Sequence, residues 1–524
     1  MGIEVEAAAK REKWMTILLT IGIAVFLLMI VITNIFHFNF RMNSDTAADA
    51  IYAKLVWDTK QIIPDRWYIA TETQIICTPN LAALFYGLTR NMVLSEGMAC
   101  CVMTALILLS VLYFGRLLHF QKRERLLFAF LCLMLPADYI LLELSYLFAA
   151  YYAVHVIALF FTLGVYLVGL RDKSLKWVKM AAGVLFALLL GMQGARGVLV
   201  IYGPLFGMMV IYNLYRMYCG QKKDKSEVII SLWTVVLLVI SFLGMLFPRS
   251  VGQELSRNIR NGFHKLWSVV LPDMVRAIGF DDAQPVLVRI CTLLLFLTTI
   301  FWLVDVLYRM CRKETLKTEE WGGLILLSSP VVSALIVAFT TVESTKRYCF
   351  LFTYAMAFVT ILFCRRIKQG KRLQYGLRLG VGIIITILAI ERLLHIYVPV
   401  LKTEEPPQSE SYEVVRFLEE NNFPISYSTF ENANMMTVLA NGKVRVAAVA
   451  TVENMDACKW VSSMDWYAPA IPYETRTAYI IPEAEMENFE GFLALHEKDV
   501  QLETQIGRFY IYSSDYNFSC LEIE

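Results

Sequence analysis

Charged residues are scarce in this chain. Asp, Glu, Lys and Arg make up 18% of its 524 residues, whereas soluble globular proteins carry roughly 25%. The net charge is only +2, which argues against a nucleic-acid-binding protein, because such proteins are basic with a clustered patch. The 11 cysteines include no CxxC pair and no Cys/His spacing typical of zinc. Hydrophobic residues reach 57%, which indicates a polytopic membrane protein.

Long apolar runs support this interpretation. A transmembrane helix needs ~20 predominantly apolar residues. Eleven candidate spans lie at about 14–36, 97–115, 126–147, 148–170, 180–194, 198–215, 228–247, 287–308, 321–340, 348–364 and 379–400. The third contains Pro136, Asp138 and Glu143, and the fifth is short and ends in a Gly-rich stretch at 191–197. We expect these two to be broken or to line a cavity.

Basic residues predict the orientation of the chain. Lys and Arg cluster in the N-terminal segment and in every second connection, at about 10–13, 116–125, 171–179, 216–225, 309–317 and 365–378. Because cytoplasmic loops carry excess Lys and Arg, eleven spans and a cytoplasmic N-terminus are mutually consistent. The connections 37–96 and 248–286 and everything after about 401 are then outside. The protein would be an integral protein of a bacterial-type plasma membrane.

The outer C-terminal region has a different composition. A transmembrane domain over 1–400 is followed by a Pro-rich linker at 401–409 and a charged segment at 410–524 that alternates helix and strand patterns. We predict an extracytoplasmic α/β domain of ordinary size. It has neither a GxGxxG fingerprint nor a P-loop, so an accessory or recognition role is favoured.

The first outer connection, 37–96, is the most informative stretch, because loops of this length are usually functional. Asn-Ser-Asp at 43–45 can cap a helix running to about 61, with Ile51, Leu55 and Val56 facing the membrane surface. Thr78 and Pro79 can open a second interfacial helix. From spacing alone, Asp45 could be only a helix cap and Glu72 only a solvated loop residue.

Short motifs favour a functional role for Asp45 and Glu72 over a purely structural one. They are Asn-Ser-Asp at 43–45, Ala-Lys-Leu at 53–55, Trp-Tyr-Ile-Ala-Thr-Glu at 67–72, Gly-Ala-Arg-Gly at 194–197, Tyr-Gly-Pro-Leu at 202–205 and Lys-Arg-Tyr at 346–348. In these motifs and in its architecture the chain resembles the GT-C superfamily of membrane glycosyltransferases, most closely bacterial family-39-like members. It differs from oligosaccharyltransferases in lacking Trp-Trp-Asp-Tyr-Gly, and it has no Asp-x-Asp in this loop.

The resemblance implies a reaction. The donor would be a polyprenyl-phosphate monosaccharide in the bilayer, and the acceptor a cell-envelope glycan, lipid or protein. Asp45 would be the general base or an acceptor-positioning carboxylate, because glycosyl transfer needs a group to accept the hydroxyl proton. Asp49, one helical turn later, points to the same face, and Glu72 is the second acidic candidate of the loop. No cofactor is implied, and a requirement for a divalent metal is left open.

A lipid-phosphate donor also needs cationic partners, for which arginine is suited because its guanidinium binds phosphate in bidentate fashion. The candidates are Arg196, in the Gly-rich break, and Arg347, Arg66 and Lys346. Snorkelling to lipid headgroups is the simpler interpretation for Lys346, and for Arg347 it is an equal alternative to phosphate binding.

Two other function classes compete with a transferase. One is a multi-span transporter or flippase, although the chain shows no clear internal repeat and its acidic candidates gather at one face. The other is a non-catalytic export or scaffold protein for envelope polysaccharide.

Overall fold

The structure is a computed structural model that describes residues 2–148, 150–173, 176–247, 259–367, 372–402, 409–496 and 499–521. Residues 403–408 of the predicted linker and residues 248–258 of the second predicted outer connection lie outside the described residues.

The described residues up to 402 form a body of helices. In its first half these are α1 (Gly2–Phe36), α2 (Phe38–Arg41), α3 (Ser44–Thr59), α4 (Thr78–Thr89), α5 (Met92–Leu117), α6 (Lys122–Met134), α7 (Tyr139–Ser145), α8 (Ala153–Asp172) and α9 (Trp177–Gln193). In its second half they are α10 (Gly203–Tyr218), α11 (Lys225–Gly244), α12 (Ile259–Lys265), α13 (Leu271–Ala277), α14 (Val286–Cys311), α15 (Thr318–Ala338), α16 (Phe350–Ile367), α17 (Arg372–Arg392) and α18 (Val398–Leu401). Short π-helical or 3-10 turns lead into α10, α13, α16 and α18.

Nine helical segments of the described chain are long and apolar enough to cross a membrane, the first being Glu12–Phe36 and the last Gly376–Leu401. The predicted polytopic helical architecture is confirmed, whereas the count of eleven stays a prediction. The two predicted spans without such a helix are the third and the fifth, whose sequences are irregular. The predicted third span divides into the 13-residue α6 and the seven-residue α7. The fifth is the 17-residue α9.

Close packing joins the first helices. A Cβ built on Gly97 of α5 would lie 2.0 Å from the backbone oxygen of Asn34 in α1. Only glycine allows the two helices to approach so closely. The Asn34 side chain donates a 2.9 Å hydrogen bond to the backbone oxygen of Tyr146, so the chain that follows α7 is attached to the same junction.

The C-terminal residues form the expected α/β domain. Its elements are α19 (Ser409–Glu420), β1 (Ile425–Thr429), α20 (Phe430–Leu439), β2 (Val446–Val449), β3 (Thr477–Pro482), α21 (Met486–Leu495), β4 (Gln501–Ile506) and β5 (Phe509–Ser514). The sheet order is β2-β1-β3-β5-β4. β1 is parallel to both β2 and β3, and β5 is antiparallel to β3 and β4. Apolar residues of α19 and α20 cover one face, and those of α21 cover the other.

The α/β domain packs on the first outer connection. Tyr68 donates a 2.8 Å backbone hydrogen bond to Ser462, and Asn441 accepts one of 2.9 Å from the backbone of Met92. α20 lies against α3, where the Ser44 hydroxyl donates to the backbone oxygen of Phe430. The α/β domain and the first outer connection therefore share an interface.

This packing corrects one detail of the sequence prediction. Ile51 of α3 is 4% exposed and belongs to the protein core, so it does not face the membrane surface. α4 does expose Leu84 and Leu88, as a helix lying at an interface would.

Candidate functional site

Asp45 lies in the first turn of α3, where the sequence predicted the helix to begin. The Asn43 side chain accepts a 2.9 Å hydrogen bond from the Thr46 backbone, and the Thr46 hydroxyl accepts one of 2.9 Å from the Asn43 backbone. This capping box fixes the start of the helix, and Asn43, not Asp45, is the capping residue. The carboxylate of Asp45 is solvent accessible. It is therefore free to act on a ligand.

Charged groups surround Asp45 on several elements. Although Asp45 is exposed to solvent on one side, partial desolvation by the surrounding protein raises the pKa of its carboxyl above the ordinary value, and the positive charge of Arg347 partly offsets the rise. Glu143, from the broken third span, is 9% exposed and accepts a 3.0 Å hydrogen bond from the Asn43 side chain. Arg347 is exposed and has no carboxylate within ion-pair distance in the part of the chain that the structure describes. An unpaired guanidinium thus lies near an accessible carboxylate.

Asp49 is one turn further along α3 and close enough to Asp45 for their charges to interact, but it is buried. Its side chain is 4% exposed and accepts a 2.8 Å hydrogen bond from the Gln74 side chain. Burial raises the pKa of Asp49 to about 8, although the Gln74 hydrogen bond opposes the rise. Asp49 is therefore mostly protonated at neutral pH, unlike an ordinary aspartate.

Glu72 and Arg196 meet at the Gly-rich break. Their side chains form an ion pair of 3.1 Å, and each is 24% exposed. The Arg196 guanidinium also lies 4.3 Å from the ring centroid of Tyr152. Burial raises the pKa of Glu72, and the charge of Arg196 opposes that rise. The chain between α9 and α10 leaves helical geometry at Gly194, whose φ is 149°, so the predicted break is present.

The other two predicted cations have different partners. Lys346 lies 2.5 Å from Asp138 and 3.8 Å from Asp281, so its charge is largely neutralised. Arg66 is exposed and forms an ion pair with Asp465 of the α/β domain. Their predicted contact with a donor phosphate stays a prediction, and these pairs make both weaker candidates than Arg196 and Arg347.

Three polar residues of the site were not predicted from the sequence. They are Gln74, which binds Asp49, Tyr151, whose hydroxyl also contacts Asp49, and Glu96. Glu96 is 0% exposed, and neither of its carboxyl oxygens has a hydrogen-bond partner among the described residues. The sequence signal for Glu96 was weak, because it stands one residue before the predicted second span and resembled a loop residue there.

Metal-ligating side chains do not converge in the described ranges. No group of three or more His, Cys, Asp and Glu residues there is arranged to hold a metal ion. The site consists instead of carboxylates, arginines and tyrosines. Such a set can accept protons and bind phosphate oxygens.

Comparison with known proteins gives matches at the level of structure only. No family model and no curated protein sequence matches the chain. Two crystal structures of ArnT from Cupriavidus metallidurans match it with a TM-score of 0.57 each, over 94% of this chain and 97% of theirs. One is the apo state, with 10% sequence identity, and the other is bound to undecaprenyl phosphate, with 11%. The chain therefore shares the fold of ArnT over nearly its whole length, and the predicted architecture of many apolar helices followed by a C-terminal α/β domain is confirmed.

Proposed function

We propose that the chain is a glycosyltransferase that moves a monosaccharide from a polyprenyl-phosphate donor to an acceptor hydroxyl. The observation that carries this proposal is the accessible Asp45 on the first connection of an ArnT-like fold, together with the exposed Arg347, whose charge acts on Asp45 and which has no ion-pair partner among the described residues. An ArnT structure bound to undecaprenyl phosphate supports a lipid-phosphate donor. The basic connections support an outer-face site, with the N-terminus cytoplasmic and the α/β domain extracytoplasmic.

The reaction uses Asp45 as the base. The acceptor hydroxyl oxygen attacks the anomeric carbon of the donor sugar, and the bond from that carbon to the phosphate oxygen breaks. Polyprenyl phosphate leaves with the bonding electrons, and the hydroxyl proton passes to the Asp45 carboxylate. The raised pKa of Asp45 suits this role, because a base is more effective as its pKa approaches the operating pH.

Burial gives Asp49 a different role from the one that the sequence suggested. A protonated, nearly inaccessible carboxyl is a poor base for a bound substrate. Through its hydrogen bond to Gln74 it instead fixes the end of the loop against α3. We assign Asp49 as a positioning residue.

Arg347 and Arg196 are assigned to the donor phosphate. Arg347 is exposed and has no ion-pair partner in the described ranges, so its guanidinium can bind phosphate oxygens. Arg196 is held by Glu72 and stacked on Tyr152, so its side chain is already ordered before a ligand arrives. Glu72 then acts by orienting Arg196.

The test compares two Asp→Asn substitutions on the same helix. Purified protein in lipid nanodiscs is given labelled polyprenyl-phosphate sugars and a bacterial envelope extract as acceptor. Asp45→Asn should lower sugar transfer by roughly 10²- to 10⁴-fold, the usual contribution of a general base. Asp58→Asn, at the exposed far end of α3, should retain the wild-type rate. Equal rates for both variants would contradict the assignment, and a transporter or scaffold would show no transfer at all.

A further inference from the structure

The α/β domain contains a topological switch point. The chain leaves β1 through α20 to reach β2 on one side, and it later enters β3 on the other side. In open α/β sheets, ligands bind in the crevice at the carboxyl ends of strands where the connections diverge in this way. A cavity of about 680 Å³ lies there. Its size falls within the roughly 300–1,000 Å³ of small-molecule sites.

The walls of this switch-point cavity come from segments that follow the three parallel strands. They are the first turn of α20 after β1, residues 449–452 at the end of β2, and residues 482–485 at the end of β3. Arg508 of the β4–β5 hairpin completes the lining. The cavity is therefore formed by the sheet itself. It is not a gap between loosely packed surface side chains.

The charge of the lining selects against anions. Three carboxylates line the cavity, those of Glu431, Glu483 and Glu485, against the single guanidinium of Arg508. Arg508 is also 3.6 Å from Glu410, which reduces its attraction for an anion. Carboxylate oxygens accept hydrogen bonds from hydroxyl and ammonium groups. The lining thus fits a hydroxyl-rich ligand that is neutral or carries amino groups.

One lining residue of the cavity contacts the helix that carries the proposed base. Phe430 lines the cavity, and its backbone oxygen accepts the 2.5 Å hydrogen bond from the hydroxyl of Ser44. Ser44 immediately precedes Asp45 in α3. One wall of the cavity therefore touches the helical turn that carries the proposed base.

We propose that the switch-point cavity binds the acceptor and that this acceptor is a neutral or amino-sugar glycan. Its role as an acceptor subsite rests on the proposed transfer reaction, whereas glycan binding itself does not. The contact between Phe430 and Ser44 connects the cavity wall to the turn from which Asp45 extends.

Binding is tested with the full chain in nanodiscs on an array of neutral, amino-sugar and anionic oligosaccharides. Wild-type protein should bind neutral or amino-sugar probes and not those that carry uronate or phosphate. The double variant Glu431→Gln/Glu483→Gln should weaken binding at least tenfold without a change in melting temperature. The matched control Glu490→Gln alters an exposed glutamate of α21 that does not line the cavity and should bind as wild type. Binding of anionic probes alone, no binding of neutral or amino-sugar probes, or unchanged binding by the double variant would overturn the proposal.

A second measurement separates the two proposals. Asp45→Asn should lose sugar transfer and keep glycan binding, whereas the double cavity variant should lose both. Glycan binding without any transfer by the wild type would refute the transfer reaction and leave the cavity as a glycan site. Normal transfer by a double variant that no longer binds glycan would refute the acceptor role alone.

Discussion

Asp49→Asn should stabilise the protein at neutral pH, although it removes a carboxyl group from the candidate site. Asp49 is 4% exposed, and its Oδ2 has no hydrogen-bond partner among the described residues. Its pKa is raised from 3.8 to about 8 by burial. A raised folded-state pKa in an acid means that the unfolded chain loses its proton first. Folding then becomes less favourable as pH rises from about 4 to about 8.

The magnitude follows from the pKa difference. At pH 7 the folded carboxyl keeps its proton, whereas the unfolded one has lost it. Each pH unit above the unfolded pKa lowers the free energy of unfolding by ~1.4 kcal/mol, so Asp49 lowers it by about 4 kcal/mol at pH 7. Asparagine resembles the protonated carboxyl in shape and never ionises, so it escapes this cost. Its side-chain oxygen can still accept the hydrogen bond from Gln74. The increase in the free energy of unfolding caused by Asp49→Asn should be near zero at pH 4 and reach its full value above pH 8.

The assay is thermal unfolding of detergent-solubilised protein followed by intrinsic fluorescence between pH 4 and pH 9. The melting temperature of Asp49→Asn minus that of wild type should increase with pH. Asp58→Asn provides the control, because Asp58 is 43% exposed on the same helix and should show no such pH dependence. A stability difference that is negative, or that is constant over the range, would refute the reasoning about Asp49.

Two further predictions concern the donor site and helix packing. Arg347→Gln should lower kcat/KM for sugar transfer by roughly 10- to 100-fold, as expected for a lost charge-assisted contact to phosphate. It should also move the acidic limb of the pH–rate profile upward, because the Arg347 charge lowers the pKa of Asp45; an unmoved limb would show that the two groups do not interact. Gly97→Ala should destabilise the protein by about 3 kcal/mol, because the new methyl group would lie 2.0 Å from the Asn34 backbone oxygen. The control is Gly207→Ala, whose added Cβ has no atom within 4 Å, and it should melt within about 1 °C of wild type. Similar melting temperatures for both variants would argue against the close approach of α1 and α5.

Much of the fold could be predicted from local sequence patterns. Asn43 with Thr46 specifies the start of α3, Pro79 specifies the start of α4, and Pro136 divides the third apolar run. Each of these acts through the backbone of its own neighbours. The edge strand β4 offers no such local signal, because its side chains are mostly exposed and polar and carry no apolar alternation.

The site was less predictable because burial depends on distant residues. Asp45 and Asp49 look equivalent in sequence, one helical turn apart. Asp49 is buried because Gln74 and Tyr151, which lie far from it in sequence, contact its side chain, whereas Asp45 stays accessible. The same holds for Arg66 and Lys346, whose partners Asp465 and Asp138 lie far along the chain.

The contact between α3 and α20 also has a consequence for biosynthesis. Ser44 and Phe430 are separated by 386 residues. At ~5–20 residues per second, a ribosome needs roughly 20 to 80 s to make the chain between them. During that time the buried side of α3 has no α20 to cover it, although the helix has already been synthesised. The first connection therefore reaches its final form only late in translation, and a chaperone or the translocation machinery has time to act on the unfinished protein.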